Sequence, residues 1–279
     1  MESGAWTITD DVEAFRSAAG EYLARDPAAG TVLLTASENA RLRAPLSATG
    51  TAQERYGWEC GRDGTVVAGF MHSPQRGLVL GAMDAASARS LAKVLAPVVQ
   101  VEAEAEAARA FAGATDRAWR VFREERLFRL GEVTDPGPRP AGTARVATPA
   151  DQVLLGRWFA EYAESIGEDP SRDFRVADRI DGGRLLLWQD AAGRPVSMAG
   201  WTSQVAGQVR IAPVYTPAVL RGRGYAGAVV AEAGRGLLRS GAEQVLLFTD
   251  LANPTSNTLY RRIGFRPVSD HLVVRFADR

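Results

Sequence analysis

The chain has one cysteine, Cys60, so no intramolecular disulfide can form. Its 2 histidines, His72 and His271, lie far apart, and no group of residues shows metal-ligand spacing. Lysine is scarce as well: of the 33 basic residues Lys93 is the single lysine. That bias toward arginine reads as genome composition rather than as phosphate recognition. The 33 acidic residues bring the net charge to zero, so no global field draws the chain to nucleic acid or an anionic membrane. No apolar run reaches the ~18 residues of a membrane span, and the N-terminus carries no signal-peptide pattern. These absences give the expectation of a cytoplasmic protein with no metal, no nucleic-acid partner and no membrane association.

A length of 279 residues suits one large domain or two of about 140. The stretch Thr134–Gly142 is too dense in proline and glycine for a helix or a central strand, so it reads as a linker near the middle. The two sides repeat one plan. On the first, Trp6–Thr9 reads as a strand, and a helix capped by Asp10 runs to about Arg25. Tyr56–Cys60 and Thr65–His72 form a hairpin around Gly61–Gly64, Gly77–Met83 is a strand, and Asp84–Leu95 a helix. On the second, Ala144–Ala147 is a strand and Thr148–Ile166 a helix, with Thr148 as cap and Pro149 at its first position. Arg184–Gln189 and Pro195–Ser203 form a hairpin around Asp190–Gly193, Gln208–Val214 is a strand, and Gly224–Ser240 a helix. Ala68-Gly69-Phe70 and Ala199-Gly200-Trp201 fall at equivalent points, and the matching order of elements indicates an internal duplication. Glu102–Ala112, with alternating Glu and Ala, reads as a solvated helical face. Cys60, Trp188 and Trp201 read as packing residues.

One difference separates the halves. Gly81-Ala-Met83 runs straight into the helix at Asp84, whereas Tyr215–Arg223 is inserted before the helix at Gly224. In that insertion Arg221-Gly-Arg-Gly-Tyr-Ala226 can turn several backbone N–H groups into one concavity beside a helix N-terminus, a fit for a pyrophosphate. No six-residue glycine fingerprint and no P-loop lysine motif is present, so nicotinamide and ATP sites are poorly supported.

Here the sequence resembles a family. Arg221-x-x-Gly224-x-Ala226 resembles the (Q/R)-x-x-G-x-(G/A) signature of the GNAT N-acetyltransferase superfamily, and it follows Ala212-Pro-Val214 and Tyr215-Thr-Pro217 as that family's loop follows its fourth strand. Downstream come the strand Val245–Asp250 and Asn253-Pro-Thr-Ser-Asn257-Thr-Leu-Tyr260-Arg-Arg-Ile-Gly264-Phe265, similar to the family's N-x-x-(A/S)-x-x-x-Y-x-x-x-G-F helix. The resemblance covers about Ala144–Phe276 and implies an α+β fold of two GNAT-like domains, each a mixed, mostly antiparallel sheet flanked by helices. Residues 1–133 would be a degenerate copy, 134–142 a linker, and 143–279 the catalytic domain.

The resemblance also implies acetyl-CoA as co-substrate and an amine acceptor of unidentified structure, and it leaves room for a homodimer. Carried over by position, Val214, Tyr215 and Thr216 would line the acyl group and pantetheine arm. Arg221, Gly222, Arg223, Gly224, Tyr225 and Ala226 would hold the pyrophosphate. Asn253 and Asn257 would lie along the pantetheine, and Tyr260 would protonate the departing thiolate. The fourth strand carries no carboxylate, so Glu161, Glu164 and Asp169 stand as candidates for the base, beside a water relay or an amine that arrives neutral. A longer acyl donor, or a non-catalytic acyl-CoA-binding module, are the rival readings.

Overall fold

The computed structural model describes residues 5–43, 54–74, 76–95, 97–171 and 175–277. The first half runs β1 (Trp6–Thr9), α1 (Val12–Arg25), α2 (Thr31–Arg43), β2 (Arg55–Cys60), β3 (Val66–Ser73), β4 (Gly77–Leu80), α3 (Ala85–Val94), β5 (Gln100–Glu104), α4 (Ala105–Gly113) and β6 (Trp119–Leu130). The second runs β7 (Thr143–Val146), α5 (Gln152–Ser165), α6 (Val176–Asp181), β8 (Leu185–Gln189), β9 (Pro195–Trp201), β10 (Gln208–Tyr215), α7 (Tyr225–Arg239), β11 (Gln244–Asp250), α8 (Pro254–Ile263) and β12 (Phe265–Phe276). The two lists match element for element, so the duplication extends beyond the elements read from sequence. Two compact units result, and they are interleaved along the chain. Unit 1 takes Met1–Leu127, Thr249–Asn253 and Pro267–Arg279; unit 2 takes Phe128–Phe248 and Pro254–Arg266. The segment 134–142 thus lies inside unit 2, and the C-terminal strand counts with unit 1.

In unit 1, β1 to β4 form an antiparallel meander, β4 pairs parallel with β5, and β5 pairs antiparallel with β12, Glu104 facing His271. Phe70, Leu78, Leu91, Val101, Phe111, Leu272 and Val274 build its core. Helix α1 starts one residue later than expected, because Asp11 rather than Asp10 caps it, accepting from the amides of Glu13 and Ala14 at 2.8 and 3.2 Å. Residues Glu102–Ala112 are not a solvated helix. Glu102 belongs to β5 and is bound by Arg76 at 2.8 Å, while Ala107, Ala108, Phe111 and Ala112 of α4 are buried. The strand expected at Gly77–Met83 ends at Leu80.

In unit 2, β7, β8, β9 and β10 pair antiparallel, and β10 pairs parallel with β11. Helix α5 is preceded by a 3-10 turn, Pro149–Asp151, where the Asp151 carboxylate accepts from the Thr148 amide and hydroxyl at 2.8 and 3.0 Å. Each face of the sheet has its own core. Val229, Val230 and Leu237 of α7 pack with Val209, Ile211 and Trp188 on one face; Leu155, Trp158 and Phe159 of α5 pack with Leu185, Met198 and Tyr215 on the other. Tyr215 has the same strand parity as Val209 and Ile211, yet joins the opposite core. The cause is a register shift between Ile211 and Val214, which turns the following side chains to the other face.

Candidate active site

Strands β10 and β11 pair only at Gln208–Gln244, Val209–Val245 and Arg210–Leu246, although β10 continues to Tyr215 and β11 to Asp250. The pairing ends before Pro213, which has no N–H to donate. On the β9 side of the same stretch, the guanidinium of Arg179 on α6 donates to the carbonyls of Ala212 and Trp201 at 3.0 and 3.3 Å. The backbone of Val214, Tyr215 and Thr216 therefore runs past β11 without a strand partner on that side. Thr216 is anchored on the β9 side, its hydroxyl 2.8 Å from that of Ser197.

Beyond Thr216 the chain makes a 3-10 turn at Ala218–Leu220 and enters α7 through Gly222 and Gly224, at φ 75° and 81°. Both angles lie in the left-handed region, which glycine adopts without a side-chain penalty. Residues 221–224 are exposed. Helix α7 has no acidic residue in its first turn and no side-chain cap, so its N-terminal amides keep the positive end of the dipole open to an anion. The arginines brace the loop: Arg221 Nε donates to the Thr216 carbonyl at 3.0 Å and Arg223 to that of Val219 at 3.4 Å. Each thus spends one donor on its own loop. The proline segment also contributes here. A Cβ on Gly224 would lie 3.4 Å from Pro140 Cδ, and one on Gly227 only 2.8 Å from Pro136 Cγ. The segment is held by Arg235 on Asp135 and Arg139 on Glu232, each at 2.8 Å. It is a packed wall beside the loop.

On α8, Asn257, Tyr260 and Ile263 share one buried face. Tyr260 is 8% exposed, its ring edge-on to Phe265 at 5.9 Å. No hydrogen-bond partner for its hydroxyl is found among the described residues. Burial, with Tyr162 adding to it, pushes the phenol well above its ordinary range, so it is protonated at neutral pH. Asn253 stands just before α8, in the Thr249–Asn253 turn that counts with unit 1; the other expected site residues lie in unit 2.

Of the three candidate carboxylates the structure singles out one. Asp169 is taken up by the amide and hydroxyl of Ser171, at 2.8 and 2.7 Å, and Glu164 is exposed. Glu161 Oε2 accepts from the Tyr215 hydroxyl at 2.7 Å. Arg179 was missed, because the short helix that carries it shows no periodic apolar pattern. Trp188 is fully buried core, as expected.

Residues 191–274 match the family model described as FR47-like protein. No curated protein matches the chain significantly. Among solved structures, a GCN5-related N-acetyltransferase from Sphaerobacter thermophilus aligns over 97% of this chain and 95% of its own, at 18% identity and TM-score 0.62. A GNAT-family acetyltransferase from Colwellia psychrerythraea aligns over 99% and 100%, at 10% identity and TM-score 0.60. A Drosophila protein aligns over 98% of both chains, at 9% identity and TM-score 0.67. The whole chain thus has the GNAT fold. Residues 191–274 are in addition similar to the FR47-like family.

Proposed function

We propose that the protein is a cytoplasmic acetyl-CoA-dependent N-acyltransferase whose single cofactor site lies in unit 2. The observation that carries this reading is the parallel pair β10–β11, which parts after Arg210 and leads directly into the glycine loop at the start of α7. The donor set fits a pyrophosphate: the exposed backbone at Gly222–Gly224, an uncapped helix N-terminus, and no first-turn carboxylate to oppose it. Main-chain amides at 214–216 are available for the oxygen of an acyl group, where charge develops as an amine attacks the thioester carbon. Collapse of that adduct forms the amide and breaks the C–S bond. Tyr260, protonated at neutral pH, then gives its proton to the sulfur.

Among its described residues unit 1 lacks these features. The Tyr22 hydroxyl donates to the carbonyl of Ala82, where β4 runs toward α3. The N-terminus of α3 is already occupied by the Asp84 carboxylate, 2.8 Å from the Ser87 amide. No helix among the described residues is long and apolar enough to cross a membrane.

Calorimetric titration with acetyl-CoA, followed by a thiol-release screen over amines of varied size and charge, tests the proposal. The expected result is one binding event and thiol release that depends on a particular amine. Binding without release from any amine would favour a non-catalytic acyl-CoA module, and absence of binding would end the proposal.

A further inference from the structure

We infer that Tyr215 and Glu161 form a two-membered relay that carries the proton away from the attacking amine, an inference that rests on the transferase reading above. Strand β10 carries no Asp or Glu, so no carboxylate on the strand itself can do this work. The register shift between Ile211 and Val214 sends the Tyr215 side chain to the α5 face, away from α7 and its phosphate loop. Its backbone stays in the 214–216 segment assigned to the acyl group. The phenol is therefore tied to the reacting carbon through one residue's main chain, while its hydroxyl reaches Glu161 Oε2 at 2.7 Å. Tyr215 is 8% exposed and its ring is fixed against Trp158 at 6.2 Å. The Glu161 side chain is 40% exposed, which gives the proton an exit to water.

The charged neighbours are few. Arg157, on the same helix, places Nε 3.8 Å from the other Glu161 oxygen, and the Arg221 guanidinium carbon lies 6.0 Å from the Tyr215 ring centre. From α6, Arg179 lies over the Phe159 ring at 5.6 Å and is committed to the Ala212 and Trp201 carbonyls. Burial first, and then the bond to Glu161, push the Tyr215 phenol above its ordinary value. It therefore does not serve as a standing phenolate; it passes a proton on as it receives one. In the step, an N–H bond of the substrate ammonium breaks and a new O–H bond forms on Tyr215. The original Tyr215 O–H bond breaks as one forms on Glu161 Oε2. The ammonium and carboxylate become an amine and a carboxylic acid, and the freed lone pair makes the C–N bond.

The test uses the full chain, acetyl-CoA and whichever amine in the screen gives the fastest thiol release. Turnover and both KM values are measured from about pH 6 to about pH 10 for wild type, Glu161→Gln, Glu161→Asp, Tyr215→Phe and the Glu161→Gln/Tyr215→Phe double variant, with acetyl-CoA binding by calorimetry for each. Near neutral pH, Glu161→Gln and Tyr215→Phe are expected to lose about 10²–10⁴-fold in kcat, the range of general base catalysis. The deficit should shrink as pH approaches the amine's own pKa, where free amine needs no relay. KM for acetyl-CoA should hold, Glu161→Asp should recover part of the rate, and the double variant should be no worse than either single one. A deficit equal at every pH would make the pair merely structural, and wild-type turnover in Tyr215→Phe would remove the relay; either overturns the inference while the transferase reading stands. A wild type that binds acetyl-CoA but acts on no amine removes the transferase reading and the relay with it.

Discussion

Tyr260 combines deep burial with a hydroxyl that makes no hydrogen bond among the described residues, and this separates its two roles experimentally. Tyr260→Phe keeps the ring against Phe265 and removes one polar atom. Turnover is expected to fall by about 10²–10⁴-fold while acetyl-CoA affinity holds. The melting temperature should not drop, because no intramolecular hydrogen bond is lost. Normal turnover with a lowered melting temperature would assign the hydroxyl to structure. Gly224 tests the loop. At φ 81° a valine must enter the left-handed region, at a cost of about 1–2 kcal/mol, although its Cβ would meet Pro140 only at contact distance. Gly224→Val should remain folded, melt somewhat lower and lose acetyl-CoA binding by calorimetry; unchanged affinity would place the pyrophosphate elsewhere. Type and spacing marked these residues in the sequence, and the structure places Gly224 at the entry to α7 and Tyr260 on the buried face of α8. Glu161 was not separable from Glu164, since its partner is 54 positions away and is aimed by a strand irregularity that no local pattern shows.

Helix termini decide the contrast between α3 and α7. A carboxylate at Asp84 already satisfies the α3 N-terminus, whereas Gly224 leaves that of α7 open. Titration with acetyl-CoA should accordingly give one equivalent per chain; two equal sites would contradict this. The turn before α5 depends on Asp151, whose carboxyl is held far below the usual range by the Arg145 guanidinium first, with Thr148 helping against burial. A depressed carboxyl contributes stability above its unfolded value of about 3.9, and that contribution is lost as pH falls below it. Asp151→Asn should therefore cost about 1–3 kcal/mol in denaturant unfolding at neutral pH. The gap to wild type should close in progressively more acidic buffer; a gap independent of pH would show that charge is not the cause. Elements with one clear apolar stripe or a hairpin turn could be read directly. In α2 apolar and polar residues are mixed around the helix, with Thr35 bonded back to the Thr31 carbonyl at 2.8 Å, so no stripe marks it. In Glu102–Ala112 a strand and a helix abut without a turn, and the alternation of Glu and Ala concealed the break.

Each unit is completed by chain from beyond the proline segment, an arrangement that no local pattern in the sequence reports. In unit 1, Leu272, Val274 and Phe276 of β12 enter the core, and β12 from His271 to Arg275 is the antiparallel partner of β5. At about 1.5–3 kcal/mol for each buried apolar side chain, those three contribute about 5–9 kcal/mol, comparable with the about 5–15 kcal/mol that stabilises a whole domain. Unit 2 in turn buries Phe128 and Leu130, and the amides of Gly131 and Thr134 donate to the carbonyls of Gly264 and Ile263 at 3.1 and 2.8 Å. Cutting the chain at the proline segment should therefore damage both products. Residues 1–133 would leave β5 without its partner. Residues 143–279 would lack Phe128 and Leu130 and would carry β12 as an unpaired apolar strand, prone to edge association. A fragment 128–266, shorter at its C-terminus, follows the unit as it packs. It should unfold cooperatively at a higher temperature than 143–279, as followed by circular dichroism and sedimentation. A monomeric, cooperatively folded 143–279 beside an unfolded 128–266 would show that β12 folds with the second half and that the proline segment is a true boundary.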